Sequence, residues 1–244
     1  METRRDLHLA VLIDADNIPV SYVKVMFEEI AKYGTPTFKR IYADWTKPQV
    51  TRWKSALLEN GITPVQQYSY TTGKNATDSA MIIDAMDVLY SGKVEGFCIV
   101  SSDSDFTPLA TRLREAGMKV IGIGERKTPT PFITACENFI YLEILKTPGK
   151  NEKPTASKKA AKQETPPLAR VNQALIRLIT HSINDIADEN GWAFLGELGK
   201  LIRKKQPDFD PRNYGFNKLS SLVRSIDKFQ VDERNKQIYA RTKR

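Results

Sequence analysis

A chain of 244 residues is long enough for two cores, since domains commonly run about 100–150 residues. Its two cysteines, Cys98 inside an apolar run and Cys136 far from it, exclude a disulfide framework and a thiolate metal site. No apolar run approaches the roughly 18 residues of a membrane span, and the basic start Met1-Glu-Thr-Arg-Arg-Asp-Leu-His8 has no apolar signal core behind it, so a cytoplasmic protein is expected. The net charge of +8 is unevenly spread: residues 1–145 carry 16 basic and 18 acidic side chains, residues 146–167 carry 6 and 2, and residues 168–244 carry 15 and 9. A basic end on a mildly acidic body suggests a polyanionic partner, because Lys and Arg gain affinity for nucleic acid by releasing condensed counterions; solubility is the other use of excess lysine.

In chain order, strands are predicted at Leu7–Ile13, Thr37–Tyr42, Ile62–Gln67, Gly96–Ser101, Lys119–Gly124 and Phe139–Leu142. Between them, Val20–Tyr33, Pro48–Asn60, Ala76–Tyr90 and Phe106–Ala116 place apolar residues at helical spacing. Runs such as Ala10-Val-Leu-Ile13 and Phe97-Cys-Ile-Val100 are apolar throughout, as parallel strands covered on both faces must be. The fold class is therefore α/β: a three-layer α/β/α sandwich on a mostly parallel sheet. Residues 146–167 contain no large apolar side chain to offset the cost of ordering, and read as a flexible basic linker. Beyond it, helices over Leu168–Asn190, Leu195–Lys205 and Phe216–Asp227 precede short strands at Phe229–Val231 and Gln237–Ala240, the order of a small winged helix-turn-helix domain. The divisions are thus 1–145, 146–167 and 168–244.

Four aspartates fall where strands hand over to loops or helices: Asp14 after the first strand, Asp78 opening a helix, and Asp103 and Asp105 after Phe97-Cys-Ile-Val-Ser101. The carboxyl ends of strands in an open α/β sheet share one edge, and ligands bind in the crevice beside it. Four carboxylates there repel one another unless a cation sits among them, and the hard cation that takes oxygen ligands and works on phosphates is Mg²⁺ or Mn²⁺. Each also has a plainer use. Asp16 or Asn17 could cap the helix that Pro19 favours, Asp105 could cap the helix beginning near Phe106, and Asp78 could be an anion at a helix N-terminus. Asp84 lies about 240° around the helix from Asp78, which makes it a supporting group and not a ligand.

Leu12-Ile-Asp-Ala-Asp-Asn-Ile18, Asn75-Ala-Thr-Asp78 with Asp84, and Ser101-Ser-Asp-Ser-Asp-Phe-Thr-Pro-Leu109 with Gly117-Met-Lys-Val-Ile-Gly122 resemble, in that order, the NYN family of PIN-like metal-dependent ribonucleases. The resemblance spans residues 6–145. It implies a catalytic group of Asp14, Asn17, Asp78, Asp103 and Asp105, in which Asp14, Asp78 and Asp103 are core metal ligands while Asp105 and Asn17 complete or orient the site. One or two Mg²⁺ or Mn²⁺ ions would then activate water and neutralise the attacked phosphate, with no side-chain nucleophile. Lys74 is a candidate phosphate contact or a solvated loop lysine. Asp14-Ala-Asp16 also fits the aspartate motif of haloacid-dehalogenase-like phosphatases, but Asn17 and Ile18 depart from it and the short connection leaves no room for a cap domain. Gly122-Ile-Gly124 lacks the third glycine of a dinucleotide-binding turn.

In the basic end, Leu195, Leu198, Leu201 and Ile202 make one apolar stripe that leaves Lys200, Arg203 and Lys204 outward. Gly191-Trp192, Leu195-Gly-Glu-Leu-Gly199 and Phe209-Asp-Pro-Arg-Asn-Tyr-Gly-Phe-Asn-Lys-Leu219 resemble the OST-HTH, or LOTUS, winged-helix family over about residues 168–242. Members are implicated in binding RNA, with structured or G-rich RNA among the proposed targets, and some instead bind protein partners; the partner expected here is RNA, single-stranded or structured. The resemblance marks Lys200, Arg203, Lys204, Arg212, Tyr214 and Lys218 as RNA contacts, with a second copy or a protein partner as the module's other use. Trp192, Phe209 and Phe216 read as core. The alternative to a ribonuclease is an RNA-binding adaptor without catalysis.

Overall fold

A computed structural model describes residues 6–68, 76–145 and 169–243. The chain divides into two compact units, Met1–Thr147 and Pro148–Arg244, and the expected linker over 146–167 lies outside the described residues. The first unit holds β1 (His8–Asp14), α1 (Val23–Ile30), β2 (Thr35–Ala43), α2 (Lys54–Asn60), β3 (Thr63–Gln66), α3 (Ala76–Tyr90), β4 (Gly96–Val100), α4 (Thr107–Glu115), β5 (Lys119–Gly124), α5 (Thr130–Ala135), β6 (Asn138–Tyr141) and α6 (Leu142–Leu145). All six strands pair in parallel, in the order β3-β2-β1-β4-β5-β6. The winding reverses between β1 and β4, so the crevice that such sheets offer to ligands opens at those two strand ends.

Alternation along β1 explains the layers. Leu9, Val11 and Ile13 pack with Met26 and Ile30 of α1 on one face, whereas Ala10 and Leu12 pack with Met81 and Ala85 of α3 and Leu109 of α4 on the other. Each face of the central strands meets helices, and a run with no polar position is the sequence consequence. β2 begins two residues before its predicted start because Thr35 N–H reaches the Leu7 carbonyl at 2.7 Å. Gly34 is needed just before it, since a Cβ there would collide with that carbonyl oxygen.

Several boundaries differ from the sequence reading. Val20–Tyr22 and Pro48–Trp53 are tight 3-10 turns leading into α1 and α2. Pro19 occupies the N-cap position with no side-chain cap, so neither Asp16 nor Asn17 plays the capping role. The short helices α5 and α6 were not predicted; they are fixed by burial of Phe132, Leu142 and Ile144.

The second unit contains α7 (Gln173–Ile186), β7 (Ala193–Phe194), α8 (Leu195–Lys205), α9 (Leu219–Arg224), β8 (Phe229–Arg234) and β9 (Gln237–Thr242), with an antiparallel sheet in the order β7-β9-β8. Asn172 caps α7 by accepting the Leu175 N–H at 2.9 Å, which starts the helix later than predicted. Asp188 Oδ1 then accepts the Asn190 and Trp192 N–H groups, a turn that ends it earlier. Leu175, Ile179, Leu198, Ile202, Leu222 and Val223 form the core. Asn235 and Lys236, both at positive φ, close the β8–β9 wing.

Candidate functional site

Asp14 is the last residue of β1 and only 1% exposed. A buried carboxylate needs donors, and this one has three: Asn17 Nδ2 at 2.5 Å and Ser101 Oγ at 2.9 Å on Oδ2, and the Asp16 N–H at 3.1 Å on Oδ1. Ser101 Oγ also accepts the Asp103 N–H at 3.1 Å, so one hydroxyl ties the end of β1 to the segment leaving β4. Ser102 Oγ accepts the Glu125 N–H at 2.8 Å and ties in β5. Asp103 caps the 3-10 turn Ser104–Phe106, its Oδ1 accepting the Asp105 N–H at 2.9 Å. Of the two aspartates that could cap this turn, Asp103 does so, and the plainer use of Asp105 as the cap is set aside. Across the crevice, α3 delivers Asp78 in its first turn. Carboxylate oxygens of Asp78, Asp103 and Asp105 all lie within 4.8 Å of one another.

Burial pushes the Asp78 carboxyl up to about 6, and the charges of Asp14, Asp103, Asp105 and Asp16 add to the rise in that order. Asp14 stands outside the 4.8 Å group yet heads these charges, because a buried charge is poorly screened. Asp14 is itself raised by burial, against the opposing hydrogen bonds from Asn17, Ser101 and Asp16. Hard oxygen donors gathered this closely, with Asp78 raised by the charges of its neighbours, are chemically matched to a hard divalent cation. Ligand oxygens about 2.1 Å from such an ion are at most about 4.2 Å apart, so a small contraction of the group fits one. Asp84 lies apart from these ligand positions, with its carboxylate held by Arg40 and Tyr42. Lys74 and Asn75 lie outside the described residues.

In the second unit, Lys200, Arg203 and Lys204 are exposed on α8, and Lys218 is exposed at the N-cap of α9. Arg212 is partly buried and committed to Asp210 at 2.7 Å. Tyr214 is half-buried against Phe209, ring centroids 6.2 Å apart, and burial raises its phenol pKa. Trp192 and Phe209 are buried. The Trp192 ring also carries two cations from the wing, Arg234 at 4.4 Å and Arg241 at 4.6 Å.

Residues 8–143 match the model of the NYN domain, and residues 166–239 match that of the OST-HTH/LOTUS domain. The chain belongs to the NYN family. The NYN domain is a PIN-like nuclease domain and the OST-HTH/LOTUS domain an RNA-binding one. Among solved structures, a protein of unknown function from Vibrio parahaemolyticus is 20% identical, with 57% of this chain and 94% of that one covered and a TM-score of 0.48. An uncharacterized protein from Nitrosomonas europaea is 30% identical, with 40% of this chain and 93% of that one covered and a TM-score of 0.29. No curated protein matches the chain.

Within the NYN domain, sequence reasoning missed Ser101 as the tie between Asp14 and Asp103, and Arg40 and Tyr42 as partners of Asp84. The signal for Ser101 was a hydroxyl closing a buried strand directly before the acidic turn. For Arg40 and Tyr42 the alternation of β2 put both on one face, but which helix covers that face is a matter of topology. The stacked wing arginines of the OST-HTH/LOTUS domain gave no sequence signal at all.

Proposed function

We propose that the protein is a divalent-cation-dependent ribonuclease that hydrolyses RNA phosphodiester bonds, with its OST-HTH/LOTUS domain binding the substrate. The observation that carries this is the group of three carboxylates within 4.8 Å at the switch point of the sheet, backed by buried Asp14. In this reading Asp78, Asp103 and Asp105 hold Mg²⁺ or Mn²⁺, and Asp14 supplies further negative charge from behind, positioned by Asn17 and Ser101. The ion supplies Lewis acidity towards water and phosphate. Asp103 has one oxygen engaged by the Asp105 N–H, which fixes its rotamer and directs the carboxylate plane. Lys200, Arg203, Lys204 and Lys218 are the RNA contacts, with Arg212 and Tyr214 contributing less because each already has a partner. Tethering the two domains raises the RNA concentration at the acidic crevice without adding contacts there. The buried thiols Cys98 and Cys136 suit a reducing compartment, and the cytoplasm is the proposed site of action. Among the described residues no helix is long and apolar enough to cross a membrane.

The test is cleavage of single-stranded and structured RNA with Mg²⁺ or Mn²⁺ by the wild type, Asp14→Asn and Asp103→Asn. Each substitution is expected to lower the rate at least about 100-fold. Full cleavage by both variants would overturn the site, and no metal-dependent cleavage of any RNA by the wild type would favour the adaptor.

A further inference from the structure

We infer that Arg40, Tyr42 and Asp84 form a clamp that sets the position of α3 on the sheet and thereby holds Asp78 in the carboxylate group; the functional half of this inference rests on the ribonuclease reading. Asp84 Oδ1 accepts from Arg40 Nη1 and Oδ2 accepts from Tyr42 Oη, so both carboxylate oxygens are gripped from β2. Arg40 and Tyr42 are two residues apart and share one face of the strand. Tyr42 is fully buried, and its Cα partner across the β1–β2 ladder is Asp14. The residue that pairs with one acidic member of the site therefore also grips the helix that delivers another.

The need for a directional link follows from the remaining contacts. Met81, Ala85 and Val88 bury the apolar stripe of α3, and apolar packing is non-directional, tolerating small rotations and slides. Hydrogen bonds carry angular requirements that resist both. Moreover, a cavity of about 510 Å³ runs along this flank of the helix, lined by Arg40, Val65, Ala80, Ile83, Asp84 and Asp87, so packing does not close it. Asp78, meanwhile, faces the like charges of Asp14, Asp103 and Asp105 across the crevice. That repulsion acts at the first turn of α3, about 9 Å along the axis from Asp84. Arg40 neutralises Asp84, so the clamp holds without adding to the negative field. The three are positioning residues, since none reaches the ligand group.

The experiment uses the full chain, comparing wild type, Tyr42→Phe and Asp84→Asn, with Arg40→Lys as the charge-conserving variant. Mn²⁺ binding is followed by electron paramagnetic resonance, and backbone exchange along α3 by mass spectrometry. Tyr42→Phe and Asp84→Asn are expected to weaken Mn²⁺ binding about tenfold, with Arg40→Lys retaining most of it. Amide exchange at Ser79–Ile82 should quicken while that at Val88–Tyr90 stays as in the wild type. With RNA as substrate, kcat should fall and KM hold. Tyr42→Phe removes one hydroxyl and leaves the ring in place, so it decides the matter if Asp84→Asn fails to fold. Wild-type Mn²⁺ affinity and exchange in Tyr42→Phe would overturn the clamp. If the wild type itself binds no Mn²⁺, the ribonuclease reading falls and exchange at Ser79–Ile82 alone judges the clamp: faster supports it, unchanged overturns it.

Discussion

Asp78 is a carboxyl whose pKa is raised from 3.8 to about 6 by burial and by its acidic neighbours. Between those values the folded protein holds a proton that the unfolded chain releases, so with no divalent ion present this group makes stability fall as pH rises, and its full penalty stands above about pH 6. Asp78→Asn removes the penalty. In chelator the variant should be more stable than the wild type by about 1 kcal/mol near pH 7.5, after allowance for the solvent screening of a half-exposed group, and should lose that advantage near pH 4. Thermal melts at the two pH values check this; equal midpoints near pH 7.5 would show that the carboxylates do not strain the fold. At this scale the sequence pointed to the acidic residues that the structure brings to one crevice, Asp14 most directly because a carboxylate right after an apolar strand has few structural uses. It did not carry their division of labour. Whether Asp103 or Asp105 caps the turn depends on backbone angles that two nearby aspartates leave equally open.

The strands β1 and β4, unbroken apolar runs buried on both faces, and the helix α3, with its three-and-four spacing, were legible within a residue or two, whereas α7 was placed correctly but overrun by several residues at each end, where Asn172 and Asp188 set its limits. The pieces that escaped were α5, α6 and β7, which are too short to show a period and are held by tertiary contacts alone. The tie between elements was likewise invisible, since Ser101 meets Asp14 only because β4 lies beside β1. Ser101 is fully buried, and Ser101→Ala would leave the Asp103 N–H without its acceptor and Asp14 with one donor fewer. A loss of about 1–3 kcal/mol is expected in chelator. Because the Ser101 bond lowers the Asp14 pKa, the variant should also hold the Asp14 proton to higher pH. Denaturant melts give the first quantity and the carboxyl signals in NMR titration the second; a Ser101→Ala protein unchanged in both would mean that β1 and β4 are not coupled through this hydroxyl.

The whole molecule pairs an acidic crevice in one unit with a basic surface in the other, a division visible in the charge count before any element was placed. What the count could not tell was which cations are available, since Arg212 belongs to Asp210 and two wing arginines lie on Trp192. Lys200, Arg203 and Lys204 on α8 are exposed. Replacing all three by Ala should weaken binding of single-stranded RNA and flatten the slope of log K against log salt by about 2, at about 0.7 per phosphate contact. Fluorescence anisotropy from about 50 to 200 mM salt measures the slope, and an unaltered one would move the RNA surface elsewhere on the module. The placement of Asp14 as the final residue of β1 has one more consequence. Side chains alternate along a strand, so a slip of a single position between β1 and its neighbours would turn Asp14 to the opposite face while exposing Leu9, Val11 and Ile13 to the wrong helices. Asp14 and the interior therefore stand or fall as one unit: no shift of β1 can relocate this carboxylate without dismantling the domain.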